Sequence, residues 1–298
     1  MRKLALPIYN VVLKLLSGSG IGRYHIVLQV NNFIRSAFIP KFVMFEGHKI
    51  YLDKMDSLGL SIDGCFKPEV FETEVFKKNI KKGDVIVDIG ANIGYYTLIS
   101  ARIVGKTGRV YAFEPDPCNF ALLKKNIQVN GYKNVVLVQK AVSNKTEKIK
   151  LYLCEESTGD HRIYNSHDNR KSIDINAIQL DDYFKKYKGK INLIKIDIQG
   201  AEVNALQGMS NLLKRQGKVI MFTEFWPYGT KKAGSKPQEY IDLLINNKFN
   251  LYRIYERKKK LQHFTPLDML NICKNPIFEN YVNLLCIKEE KIFVKTHK

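Results

Sequence analysis

A chain of 298 residues is long enough to bury a substantial core, as one large domain or one domain with an appendage. With 45% hydrophobic and 26% charged residues it reads as an ordinary globular chain, and no apolar run approaches the roughly 18–20 residues that cross a bilayer. Its net charge of +19 would attract phosphates, acidic glycans or an anionic membrane surface, yet lysine is spread through nearly every segment, as a compositional bias would give.

In chain order, the apolar stretch from Leu4 to Leu16 is broken by Pro7, Asn10 and Lys14 and lacks a small-residue cleavage site. It reads as a short amphipathic helix packed on the domain, with a membrane-surface contact as the alternative. Residues 42–45 and 49–52 flank Glu46-Gly47-His48 as a β-hairpin. Residues 68–79 read as a helix, with proline at the start, acids in the first turns and lysines at the end. Residues 1–80 are therefore expected to form an appendage or cap. From residue 81 to 290 the pattern becomes strand–helix alternation, and 291–298 form a basic tail.

Strands are expected at 84–89, 109–113, 135–142, 193–198, 219–225, 251–255 and 282–287, with 149–153 as a sheet extension or hairpin. Helices are expected at 93–103, 116–130, 180–187, 201–215 and 238–247. Together these predict an α/β fold: a doubly wound, Rossmann-like sheet of seven strands with a small N-terminal hairpin-and-helix appendage. Ligands of such sheets sit outside the carboxyl ends of the strands. The five cysteines (Cys65, Cys118, Cys154, Cys273, Cys286) form no CxxC pair, so neither a disulfide framework nor a zinc site is expected and a cytoplasmic location fits.

The first strand end reads Val87-Asp88-Ile89-Gly90-Ala91-Asn92-Ile93-Gly94. Gly90 permits a sharp turn and close ligand approach, and Gly94 lets the next helix pack tightly. Glu114 ends the second strand, where a carboxylate can accept both hydroxyls of a ribose. A nicotinamide-binding turn would read G-x-G-x-x-G, whereas Ala91 stands one residue after Gly90 here. The added acid, Asp88, gives no advantage to a pyrophosphate but does favour a cationic cofactor. That asymmetry points to S-adenosylmethionine rather than NAD.

These blocks, Lys82-Gly83-Asp84 through Thr97, Tyr111 to Pro115, and Lys195-Ile196-Asp197-Ile198-Gln199-Gly200-Ala201-Glu202, resemble the FkbM family of methyltransferases over roughly residues 65–226. The resemblance implies S-adenosylmethionine as cofactor and, usually, methylation of a hydroxyl oxygen on a sugar, glycan or polyketide. Asn92 and Tyr96 are then expected at the methionine end, and Ala141 and Val142 against the adenine. The polar segment from Glu155 to Tyr164 occupies the place of a family loop near cofactor and acceptor.

Carboxylates at the fourth and fifth strand ends carry the chemistry expected of the acceptor side. Asp197 is the candidate general base, supported by Glu202 and Glu224, with His161 as a second base. No metal site is expected; Asp197 holding Mg²⁺ is the alternative to direct proton removal, although Gln199 stands where family members often have an acid. Trp226 either walls the acceptor pocket or sits in the core. Only Arg257-Lys258-Lys259-Lys260 forms a tight basic run, without an RNA-binding signature. There is also no Asn/Asp-Pro-Pro-aromatic loop at the fourth strand. The expected partner is a small-molecule or glycan acceptor rather than nucleic acid, with a transient anionic membrane contact left open.

Overall fold

The computed structural model describes residues 41–52, 69–155, 157–274 and 281–289. The apolar segment from Leu4 to Leu16 and the tail 291–298 lie outside the described residues.

The hairpin is present as β1 (Phe42–Phe45) and β2 (His48–Tyr51), paired antiparallel. It is followed by α1 (Val70–Lys78). The alternating part then runs β3 (Val85–Ile89), α2 (Tyr95–Val104), β4 (Arg109–Phe113), α3 (Pro117–Val129), β5 (Val135–Val138), β6 (Ala141–Val142), β7 (Lys148–Tyr152) and β8 (Ser172–Ile178). The second half runs α4 (Leu180–Tyr183), β9 (Leu193–Ile196), α5 (Glu202–Gln207), α6 (Ser210–Arg215), β10 (Val219–Phe225), α7 (Pro227–Lys232), α8 (Pro237–Asn246), β11 (Asn250–Tyr255), β12 (Lys260–His263), α9 (Pro266–Lys274) and β13 (Val282–Lys288).

The central sheet has the strand order β12-β11-β13-β10-β9-β3-β4-β5. Strands β10, β9, β3, β4 and β5 are parallel, while β13 runs antiparallel to both β10 and β11. The chain leaves β3 toward β4 on one side and returns through β9 on the other, so the topological switch point lies between β3 and β9. Ile86, Val87, Ile89, Leu193, Ile194 and Ile196 are buried, as parallel strands covered on both faces require. The sheet is Rossmann-like, but it carries an eighth strand beyond the seven expected. That strand is β12, and it was hidden by its own composition, because Lys260, Leu261, Gln262 and His263 are all exposed on the edge.

Two further differences have local causes. The expected strand 135–142 breaks after Val138: β6 leaves the central sheet and pairs in parallel with β8, which pairs antiparallel with β7. This three-stranded satellite sheet brings Ala141 and Val142 beside Leu151. The expected helix 201–215 breaks at Gly208, where an added Cβ would lie 2.0 Å from the Ser143 carbonyl oxygen.

Side chains on α3 fasten the hairpin. Asn126 accepts from Tyr51 N–H at 2.7 Å and donates to the Tyr51 carbonyl at 3.1 Å, and also to that of Ile93 at 2.8 Å. Asn130 treats Lys49 the same way, at 3.0 and 2.8 Å. Two asparagines thus satisfy the open edge of β2 as a neighbouring strand would.

Candidate active site

The turn after β3 is dictated by close approach of two backbones. Gly90 has φ +80°, and a Cβ there would fall 1.9 Å from the Asp197 carbonyl oxygen. No side chain fits, so the ends of β3 and β9 lie directly against each other. Asn92 (φ +50°) and Gln199 (φ +54°) also adopt the left-handed conformation at these two strand ends. Such backbone is uncommon outside glycine and gathers at ligand-binding turns.

A cleft enclosing about 540 Å³, part of it open to solvent, lies there. Its polar wall includes Asn92, Glu114, Asn119, Thr158, His161 and Asp197, and its apolar wall includes Phe113, Ala141, Val142, Leu151 and Ile163. Glu114 is 5% exposed and accepts N–H bonds from Asn92 at 2.8 Å and Asp116 at 2.9 Å, one on each carboxylate oxygen. Each oxygen keeps a lone pair for a further donor. Burial pushes the Glu114 carboxyl up to about 7, against the lowering effect of those two N–H groups. Asn92 Oδ1, Asn119 Oδ1 and Thr158 Oγ1 are buried with no hydrogen-bond partner. Unsatisfied buried oxygens on the wall of a cavity are places for ligand donors.

This donor set fits S-adenosylmethionine. An apolar slot suits a flat base, a carboxylate suits a vicinal diol, and the orphaned oxygens suit an ammonium or amide hydrogen.

The loop 157–170 is held onto the cavity by side chains. Asp160 accepts from Arg162 through both carboxylate oxygens and from Arg170 at 2.7 Å. Tyr164 donates to the Gln199 carbonyl at 2.8 Å, and Asn119 Nδ2 donates to that of Thr158 at 3.0 Å. His161 Nδ1 accepts from Cys154 N–H at 3.0 Å, and burial holds its pKa below the usual value. A neutral imidazole whose Nδ1 is an acceptor carries its proton on Nε2, so it can donate but has no free lone pair for a second base.

Asp197 joins the cavity to a second group of charges. It accepts from Gln199 Nε2 at 3.0 Å and lies 3.7 Å from Lys195 Nζ. Lys195 is 4% exposed and also lies 3.4 Å from Glu72. Burial opposes its charge, but Glu72, Asp197, Glu69 and Asp88 outweigh that and hold its pKa above the usual value. Glu224 on β10 is pushed well up, first by burial and then by the charges of Asp197 and Glu202.

Of the residues expected from sequence, Gly90, Asn92, Glu114, Ala141, Val142, His161 and Asp197 line the cavity. The others stand behind it. Asp88 is 2% exposed, accepts from Thr97 Oγ1 at 2.5 Å, and is raised by burial to about 6. Gly94 packs on α3, where a Cβ would meet Leu123 at 2.7 Å. Tyr96 is drawn away from the expected methionine end by its bond to Glu72 at 3.3 Å and by packing on Phe76. Glu202 accepts from Gly200 N–H at 3.2 Å, bracing the turn after β9, and burial raises it to about 7. Trp226 is buried, its ring 5.1 Å from the Arg162 guanidinium. Among the described residues no group of three or more His, Cys, Asp or Glu is placed to hold a metal ion.

Asn119 was not singled out from sequence, and Thr158 only as part of the polar segment Glu155 to Tyr164. For Asn119 a signal exists: Asp116 caps α3 and Pro117 opens it, which puts Asn119 in the first turn beyond the strand end that carries Glu114.

The model of the methyltransferase FkbM domain matches residues 88–254. The chain belongs to the FkbM methyltransferase family. Its Rossmann-like sheet and S-adenosylmethionine-type cavity agree with that membership. A second model, of protein-L-isoaspartate(D-aspartate) O-methyltransferase, matches residues 12–142. Among related proteins, "Methyltransferase 1" of Beauveria bassiana is 25% identical over 202 residues, covering 59% of this chain and 77% of that protein. The hexuronic acid methyltransferase AglP of Haloferax volcanii is 27% identical over 172 residues, covering 57% of this chain and 65% of AglP, just under two thirds of its length. The crystal structure of methyltransferase FkbM from Methylobacillus flagellatus aligns with a TM-score of 0.42 at 13% identity, over 88% of this chain and 59% of that one.

Proposed function

We propose that this FkbM-family methyltransferase transfers the methyl group of S-adenosylmethionine to a hydroxyl oxygen of a sugar, glycan or polyketide-like small molecule. One observation carries the reading: a single cavity has a diol-accepting carboxylate, Glu114, on its wall and a half-exposed carboxylate, Asp197, at the tip of β9. Similarity to a hexuronic acid methyltransferase supports a sugar-type acceptor.

When bound, S-adenosylmethionine supplies an electrophilic methyl on a sulfonium. Glu114 would accept the ribose hydroxyls, and Asn92, Asn119 and Thr158 would meet the remaining polar edges. Phe113, Ala141 and Val142 would cover the adenine and exclude water. Asp197 would take the proton of the acceptor hydroxyl as its oxygen attacks. Lys195 holds the Asp197 carboxylate in place, and Gln199 fixes its orientation. The rest of the rate would come from positioning.

The test is turnover against binding in Asp197→Asn. Methyl transfer to a sugar or polyketide alcohol is expected to vanish, while calorimetry finds cofactor affinity within a few fold of wild type. Full activity in that variant would refute the assignment of the base. A folded wild-type chain that binds no S-adenosylmethionine would refute the reading as a whole.

A further inference from the structure

The basic run of residues 257–260 fills the turn between β11 and β12 and opens β12 with Lys260, on the outer edge of the central sheet. Its four side chains are exposed. Three cations crowd one ring there: Arg253 lies 4.4 Å from the Tyr255 ring centroid, Lys260 5.5 Å and Lys258 5.7 Å. Cation–π contact tolerates that crowding but does not neutralise it. Among the described residues no ion pair engages Arg253, Arg257, Lys258, Lys259 or Lys260. The one acid in the segment, Glu256, turns both oxygens onto the N–H groups of Phe71 and Glu72 at the start of α1. A group of five cations with no ion-pair partner among the described residues is therefore built into the hairpin.

Exposed aliphatic side chains accompany it. Leu261, paired with Ile254, points to the other side of the hairpin from the Tyr255–Lys260 pair, but α9, which follows β12, exposes Leu267 by 65% and Leu270 by 38%. Those two leucines are three residues apart and share a helix face, while Met269 anchors the helix from the buried side.

We propose that the β11–β12 hairpin and the outer face of α9 dock this protein onto an anionic lipid bilayer. The Tyr255–Lys260 pair lies on the same sheet face as Leu251, which packs in one cluster with Met269 of α9, so these cations and the α9 leucines stand on one side of the sheet: the charges attract acidic headgroups, and the aliphatic chains enter the headgroup–acyl boundary. RNA is the poorer match. The ring on which a base would stack is already covered by three cations, and a phosphate backbone offers nothing to Leu267 and Leu270. The inference is independent of methyl transfer, since β12 lies five strands from β3, roughly 24 Å at the usual strand spacing.

The test is co-sedimentation of the full chain with vesicles of phosphatidylcholine alone and with about one third phosphatidylglycerol, at about 0.1 M salt. Wild type is expected to bind only the anionic vesicles. Lys258→Glu/Lys260→Glu should weaken binding at least about twentyfold, at roughly fivefold per cation lost. The control Lys145→Glu/Lys148→Glu removes the same charge from exposed positions just before and at the start of β7 and should change binding by less than about fivefold. Leu267→Asp/Leu270→Asp should also weaken it, and calorimetry should find cofactor binding intact in all three variants. Equal losses in the two charge variants would reduce the effect to net charge and overturn the proposal. So would failure of wild type to bind anionic vesicles, unchanged binding by the leucine variant, or hairpin-dependent binding that is tighter to RNA than to vesicles.

Discussion

Replacing Glu114 by glutamine tests the cofactor site at its most constrained carboxylate. The native side chain accepts one backbone N–H on each oxygen, from Asn92 and Asp116. A glutamine presents one oxygen and one NH₂, so one of those N–H groups then faces a donor. Leaving a buried donor unsatisfied costs about 1–3 kcal/mol of stability. The variant also loses charge-assisted acceptance of the two ribose hydroxyls, about 1.5–3 kcal/mol, or roughly 10- to 150-fold in affinity. A second signature comes from protonation. The carboxyl lies near 7 because it is buried, and a diol is accepted best by the ionised form. Wild-type affinity should therefore rise about tenfold between pH 6 and 8, whereas the glutamine variant should be nearly flat. The assay is calorimetry with S-adenosylmethionine at both pH values. A variant within twofold of wild type, or a wild type with no pH dependence, would refute the role given to Glu114.

Other outcomes follow from the same geometry. Gly90→Ala should cost more than about 3 kcal/mol in a urea melt, because the new Cβ meets the Asp197 carbonyl at 1.9 Å in a left-handed backbone. Asn126→Ala should cost about 2–4 kcal/mol, since three backbone groups, one of them buried and two half-buried, lose their bonds, and it should raise hydrogen exchange at Tyr51. Asp88, Glu114 and Glu202 are raised to about 6, 7 and 7. The stability they give is fully present below their unfolded values near 4 and is lost as pH rises through 6 to 7, on the order of 3 kcal/mol each. The melting temperature of the ligand-free protein should thus fall from pH 5 to pH 8, and saturating S-adenosylmethionine should recover part of the loss at pH 8; a flat profile would count against the burial of these carboxyls.

The parallel core was legible because its strands are apolar on both faces. Residues 84–89, 109–113 and 193–198 read as buried runs, and the structure has strands there. Edges were less legible. Strand β12 is exposed throughout and polar at three of its four positions, and β8 alternates polar and apolar positions around a small satellite sheet, so neither shows the pattern of a buried strand. Helix α9 escaped for a similar reason: Met269 is the one residue it buries fully among exposed neighbours.

At the cavity, sequence by itself determined the groups that sit on strand ends. Gly90, Asn92, Glu114 and Asp197 are placed by the strand–turn–helix pattern, and their chemistry follows from residue type and position. Only tertiary structure decided which other residues reach them. Asp88 and Glu202 are one and three residues from cavity-lining positions, yet one bonds Thr97 and the other the backbone of its own turn. Tyr96 turns to Glu72, which arrives on α1 from outside the matched family region, while Thr158 and His161 enter on a loop fixed by Asp160, Arg162 and Arg170. The physical reason is that a side chain's direction is set by the nearest partner able to satisfy it, and such partners lie far away in the chain.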